Sequence, residues 1–432
     1  MTPETLSWRD GDPELVVTRW REPCGLEVIV HADPTVPRVA CHVWYRVGSS
    51  DEGAGSSGFA HLYEHLFKES LHLAGQRHYE LLRRAGASNV NASTSADRTA
   101  YHETVPAEAL ELALWLEADR MGYFLPALTQ ARLDGQKAVV RNERRQRYEN
   151  VAFGGERFAI AAALYPEGHP ARYLTIGRHE DIEDATLAQV ADFYRTWYVP
   201  ANAVLVLAGD VEIDLARAAV GRWFGSFPAS ARPVRPTPSA PPLTSPVREV
   251  LHDRFAAVVR IHRVWRGPAA GTADAFALDA AVFALVKPGS GVLWRRLIRE
   301  GRLAHAVSAW VETNRLGGEF HVAVDAPVTA DRAAIRAILD EELARVAAQA
   351  DAAVIARVRR RTEAGTLWRL DGLERRANQL LRSMLHLERP DGIATELARV
   401  RAVDPAAVVA AARTWLAPEA MIEIETVPGA AP

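Results

Sequence analysis

The sequence predicts an α+β fold made of two homologous α/β units. Strand-like and helical segments alternate through the first half, a proline-rich stretch interrupts the chain near its middle, and the same order of elements then begins again. An internal match supports the duplication. Thr186 opens a helical stretch ending Arg195-Thr196-Trp197, then Pro200 and the strand AVLVLAG; Asp404 opens another ending Arg413-Thr414-Trp415, then Pro418 and the strand MIEI. Cap, RTW, proline and strand recur at one offset of 218 residues, about half the chain.

The elements follow in order. GLEVIVHADP and PRVACHVWYRVGS, within Gly25 to Ser49, are rich in β-branched and aromatic residues and broken by Asp33-Pro34, so they read as strands. A Gly/Ser loop, SSDEGAGSSG, comes next. Helical patterning runs from there to about Tyr148, interrupted by SNVNASTSADRTAYHETV, whose alternation predicts a hairpin. AVLVLAGDV closes the half as a strand. Phe227 to Pro246 holds seven prolines, too many for a helix or central strand. The expected organisation is therefore 1–226, a linker at 227–247, and 248–432. After the linker come strand-like VREVLHDRFAAVVRIHRVWR, a long Ala-rich helical region and a closing strand, MIEIETVP.

Composition narrows the function. The 432 residues carry 51 Lys plus Arg against 54 Asp plus Glu, a formal charge of −3, which argues against a polyanion-binding surface and a nucleic-acid partner. With 48% hydrophobic residues the chain can bury large cores. No apolar run approaches the roughly 18 residues of a membrane span, and the first twenty residues carry acids where a signal peptide is apolar, so a cytoplasmic location is expected. Cys24 and Cys41 make no disulfide framework and read as buried thiols.

The segment Gly58 to Ser70, GFAHLYEHLFKES, carries chemistry. At helical period Phe59, Leu62, Tyr63, Leu66 and Phe67 form one apolar stripe, and His61, Glu64, His65 and Lys68 form a second stripe beside it. Histidines four apart lie one turn above each other, so His61 and His65 can offer nitrogens to one Zn²⁺, with Glu64 near a metal-bound water. This order, H-x-x-E-H, is a zinc-peptidase signature. The bland alternative is a helix whose histidines are solvated or satisfied by Glu64. A catalytic zinc needs a third protein ligand, and Glu143 in QKAVVRNERRQRYEN sits one turn beyond Val139 and Val140. The residues alone leave it open against a surface Glu paired with Arg147, and leave Glu149 as a rival.

The runs GSSDEGAGSSGFAHLYEHLFKES, NASTSADRTAYHETVP, VVRNERRQRYEN and FYRTWYVPANAVLVLAGDV together resemble the M16 (pitrilysin, or inverzincin) metallopeptidases. The likeness is strongest to half-length bacterial members related to the mitochondrial processing peptidases. It covers residues 25 to 225 and, more weakly, the second half, with 78 residues from the second His to the distal Glu. The resemblance implies mostly antiparallel sheets packed with helices, the whole chain forming half of a clamshell peptidase. It implies zinc as cofactor, His61, His65 and Glu143 as ligands, Glu64 as general base, and Asn91, Ala92, Ser93 and Thr94 as an edge strand holding an extended peptide substrate. Where family members often carry another Glu seven residues before the distal ligand, this chain has Gln136.

The second half resembles the family's inert half. In SGVLWRRLIREGRLAHAVSA, with Leu293 matched to the family Leu, the Arg and Tyr that anchor substrate are replaced by Val292 and His305. The expectation that follows is a zinc endopeptidase of unstructured peptides, working as a heterodimer with a second M16-like chain that brings the Arg/Tyr pair. The alternative is a non-catalytic scaffold subunit, for which a degraded HxxEH would be the mark.

Overall fold

The computed structural model describes residues 15–73 and 75–429; residues 1–14, most of the stretch read above for targeting features, lie outside the described residues. The chain forms two compact units. The first holds the described residues up to 142 with 175–236 and 366–395; the second holds 143–174, 237–365 and residues from 396 onward.

The first unit is built on a six-stranded sheet. Its strands are Thr18–Arg21 (β1), Glu27–Ala32 (β2), Arg38–Tyr45 (β3), Ser88–Thr94 (β4), Thr99–Pro106 (β5) and Ala203–Gly209 (β6), in the spatial order β1-β2-β6-β3-β5-β4. The second unit has Val247–Asp253 (β7), Val259–Gly267 (β8), Ala306–Asn314 (β9), Gly317–Ala326 (β10) and Ile422–Pro428 (β11), in the order β7-β11-β8-β10-β9. Leaving out β1, the two orders coincide strand for strand. Among the described residues the only parallel pair in each is the equivalent one, β2 with β6 and β7 with β11. The predicted duplication is thus present in the topology, and its cap signals are too: Thr186 and Asp404 each accept a backbone N–H at the start of their helices, Leu187–Trp197 and Pro405–Trp415.

Two sequence readings need correction. β1 was not foreseen. The region read as long, Ala-rich and helical contains the β9–β10 hairpin, turned at Arg315-Leu316 and followed by Gly317 at φ +152°. Alanine is weakly informative there; the alternation of EFHVAVDA, with Phe320, Val322 and Val324 buried, decides for strand.

Central strand β6, AVLVLAG, is buried along its whole length, as expected of a continuous apolar run with both faces covered. One face of the first sheet meets an aromatic cluster in which Tyr45, Phe67, Tyr101 and Tyr198 pack ring against ring. Against β3 and β6 also lies the helix Leu373–Leu387, from late in the sequence, burying Leu373, Ala377, Leu380, Leu381 and Met384. Its Glu374 accepts hydrogen bonds from Thr104 at 2.9 Å and Asn89 at 2.6 Å, and its Arg376 pairs with Asp33 at 2.6 Å. In the second unit the helix Glu156–Leu164, early in sequence, packs on β11, with Ile160 and Leu164 against Val264, Ile422 and Ile424. Each unit therefore departs from a simple cut at the linker, because its two-faced sheet takes a covering helix from the other half of the sequence.

Candidate metal centre

The HxxEH run forms the helix Phe59–Leu66. Its apolar stripe is wholly buried: Phe59, Leu62, Tyr63, Leu66 and Phe67 are each at most 3% exposed. Tyr63 anchors it, its ring stacked on Tyr198 at 4.7 Å and its hydroxyl donating to the Val190 carbonyl. The helix start is fixed by a device the sequence reading missed. Glu52, in the Gly/Ser loop, accepts hydrogen bonds from the amides of Gly58 at 2.7 Å and Ala60 at 2.9 Å, satisfying N–H groups that a helix start leaves open. Burial raises the Glu52 pKa well above its ordinary value, and the two amide bonds oppose that rise. Gly58 itself sits at φ +88°, and a Cβ there would meet the Ile176 carbonyl oxygen at 2.9 Å. A carboxylate six residues before the glycine that opens an HxxEH helix is the signal that could have found this cap.

The second stripe presents His61, Glu64 and His65, whose ligand atoms all lie within 4.8 Å of one another. The two imidazole Nε2 atoms are 3.3 Å apart. A tetrahedral ion with Zn–N bonds of 2.0–2.1 Å separates two of its donors by about 3.3 Å, so the pair fits zinc. Glu64 is held by Thr94, whose hydroxyl donates to Oε2 at 2.7 Å. Thus two predicted groups meet: the Glu of the helix and the last residue of the NAST strand.

Asn91 to Thr94 lie on β4, at the edge of the sheet, paired among the described residues on one side only, with β5. Arg98, not singled out from sequence, fastens the end of this strand by donating to the Ser93 carbonyl at 2.8 Å and to its hydroxyl at 2.9 Å. Burial lowers the Arg98 pKa, while nearby Glu64 and Asp97 favour its charge.

Glu143 is at the end of the helix Gln130–Arg144 and belongs to the second unit. One turn earlier Val140 is buried but Val139 is 44% exposed, so the inward stripe is narrower than expected. Its carboxylate pairs with Arg147 at 2.9 Å. The rival, Glu149, pairs with Arg144 at 3.0 Å. In the second unit Val292 is partly buried against the core and His305 is exposed.

A duplicated α+β unit with an HxxEH helix beside an edge strand is the arrangement expected of a zinc metallopeptidase. Two family models match the chain: the insulinase-type peptidase family M16 domain over residues 27–161, and the M16 inactive domain over residues 184–362. The chain belongs to peptidase family M16. It is 30% identical to the zinc protease PqqE of Helicobacter pylori over 65% of this chain and 63% of that one. It is also 30% identical to an uncharacterized zinc protease of Mycobacterium tuberculosis over 68% of this chain and 65% of that one. The match thus spans a little under two thirds of these relatives' own length. Among solved structures, a Helicobacter pylori protease superposes with a TM-score of 0.87 at 23% identity, covering 96% of this chain and all of that one. The periplasmic protease PqqL of Escherichia coli superposes with a TM-score of 0.78 at 17% identity, where 96% of this chain covers 48% of that one.

Proposed function

We propose that this chain is a zinc-dependent endopeptidase that hydrolyses unstructured peptides, with His61, His65 and Glu143 as metal ligands and Glu64 as general base. The observation that carries the reading is the pair of Nε2 atoms 3.3 Å apart with the Glu64 carboxylate beside them. Bound zinc supplies a Lewis acid for the scissile carbonyl and lowers the pKa of water toward about 7. The chain's own residues do the rest. Glu64 takes a proton from the attacking water and returns it to the leaving amine nitrogen. Thr94 holds that carboxylate in one orientation, and the open edge of β4 at Asn91, Ala92 and Ser93 offers backbone groups to an extended peptide.

The same reading makes the chain one part of a two-part enzyme. Val292 and His305 stand where substrate-anchoring Arg and Tyr are expected, and the superposition on PqqL accounts for 48% of that longer chain. A second M16-like chain would supply the missing pair. Among the described residues no helix is long and apolar enough to cross a membrane.

The test is Glu64→Gln in zinc-loaded protein, assayed with an unstructured fluorogenic peptide, alone and with candidate partner chains. Hydrolysis falls by about 10²–10⁴-fold while zinc stays bound. A wild-type chain that binds zinc at His61 and His65 yet cleaves nothing, alone or paired, would instead support the scaffold role.

A further inference from the structure

We infer that the second unit carries a metal site of its own, formed by His321, Glu319 and Glu312 on the β9–β10 hairpin, that takes a divalent transition ion of the zinc type.

Glu312 and Glu319 face each other directly across the hairpin, as do Trp310 and His321. Two carboxylates in cross-strand register repel unless a cation lies with them. Arg157 meets only the outer one, reaching Glu312 Oε2 at 3.2 Å from a half-exposed position, while the Trp310 indole N–H donates to Glu312 Oε1 at 3.1 Å. The Tyr165 hydroxyl lies by Glu319 as a neutral partner.

On the inner side Arg266 of β8 stands in register with Glu319, but its guanidinium is turned to the Leu164 and Ala240 carbonyls. Glu156 lies 3.1 Å from His262 Nδ1, and an ionised carboxylate only accepts, so His262 donates from Nδ1. The other ring nitrogen of His262, Nε2, is 3.2 Å from His321 Nδ1. His321 is 4% exposed, its ring is stacked on Trp310 with centroids 4.5 Å apart, and its Nε2 is buried with no hydrogen-bond partner among the described residues. Glu319 Oε2 lies 3.2 Å from it, within ion-pair distance.

That separation matches two donors of a tetrahedral ion, which lie about 3.3 Å apart. The distance equals, within 0.1 Å, that between the Nε2 atoms of His61 and His65. All ligand atoms of His321, Glu319 and Glu312 fall within 4.8 Å of one another. Behind the ligand His stands a His262–Glu156 relay of the kind that fixes tautomer and ring orientation at metal sites, itself braced by the Thr426 hydroxyl on Glu156 at 2.5 Å. Imidazole plus two carboxylates suits Zn²⁺ and its first-row neighbours. Bound there, the ion ties β9 and β10 together and through His262 to β8.

The experiment uses the full chain with His61→Ala and His65→Ala, which removes the HxxEH pair, stripped with chelator and titrated with Zn²⁺ by calorimetry. One equivalent binds and raises the melting temperature. Glu319→Gln and Glu312→Gln, near-isosteric and partly exposed, weaken binding at least tenfold, and His262→Gln weakens it about 10–100-fold. Absence of binding in folded protein overturns the site and leaves His321 as the ion-pair partner of Glu319. Binding that survives all three substitutions overturns it as well, by putting the ion elsewhere.

Discussion

At the residue scale, the HxxEH helix is legible because its requirements are local. Side chains at i and i+4 share a face whatever the surrounding fold, so His61, Glu64 and His65 meet as their spacing dictates. What the spacing cannot reveal is the hold on Glu64, because Thr94 is 30 residues away and approaches through strand pairing. That contact makes Thr94 a positioning residue with a kinetic signature. Thr94→Val removes a hydrogen bond to a carboxylate, worth about 1.5–3 kcal/mol, so kcat falls by tenfold or somewhat more. KM for a short peptide should move little. Steady-state kinetics with a fluorogenic peptide separate the two parameters, and a change confined to KM would assign Thr94 to substrate binding instead.

At the scale of elements, strands with strong apolar runs were readable and weakly marked ones were not. β2, β3 and β6 announce themselves by β-branched content; β1 is four residues, TRWR, with two charges, and is recruited only by pairing with β2. Its charges have a purpose. Glu27 accepts from Arg19 and Arg21 at 2.8 Å and from Arg46 at 2.7 Å, fastening β1 and the end of β3 to β2. Burial alone would raise the Glu27 pKa, but the hydrogen bonds from Arg21, Arg46 and Arg19 outweigh it and bring it down to about 2. A folded pKa below the ordinary 4.5 means stability that is complete above that value and is lost as pH falls toward about 2. The span corresponds to about 3 kcal/mol at 1.36 kcal/mol per unit. Urea denaturation at pH 5 and pH 2.5 should show wild type losing more stability on acidification than Glu27→Gln; equal losses would remove Glu27 from that account. The metal helix has a comparable weak point at its start. Gly58→Ala adds a Cβ at positive φ against the Ile176 carbonyl, costing about 1–3 kcal/mol in thermal melts and lowering zinc affinity with it. An unchanged melt would show that the loop shifts without cost.

For the whole molecule, the duplication was visible in the sequence as caps, RTW and prolines at one offset, and the topology extends it to five strands in equivalent order. The sharing of helices between halves was not visible. Amphipathic patterning shows that Leu373–Leu387 has an apolar face but not which sheet it covers. A fragment ending at residue 236 lacks this helix and leaves apolar surface of β3 and β6 uncovered, so it should be insoluble or molten, whereas co-expression with residues 237–432 restores a soluble complex. A monomeric, cooperatively melting fragment would contradict the exchange. Within the intact chain, Leu381→Ala should cost about 2–5 kcal/mol.

The central claim is that Glu64 works as general base beside zinc held by His61 and His65. The measurement that tests it most directly is peptide hydrolysis by the zinc-loaded wild-type chain and by Glu64→Gln, in parallel, with bound zinc quantified in both. The account predicts unchanged zinc and a rate lower by about 10²–10⁴-fold. A Glu64→Gln chain that cleaves at the wild-type rate would contradict it.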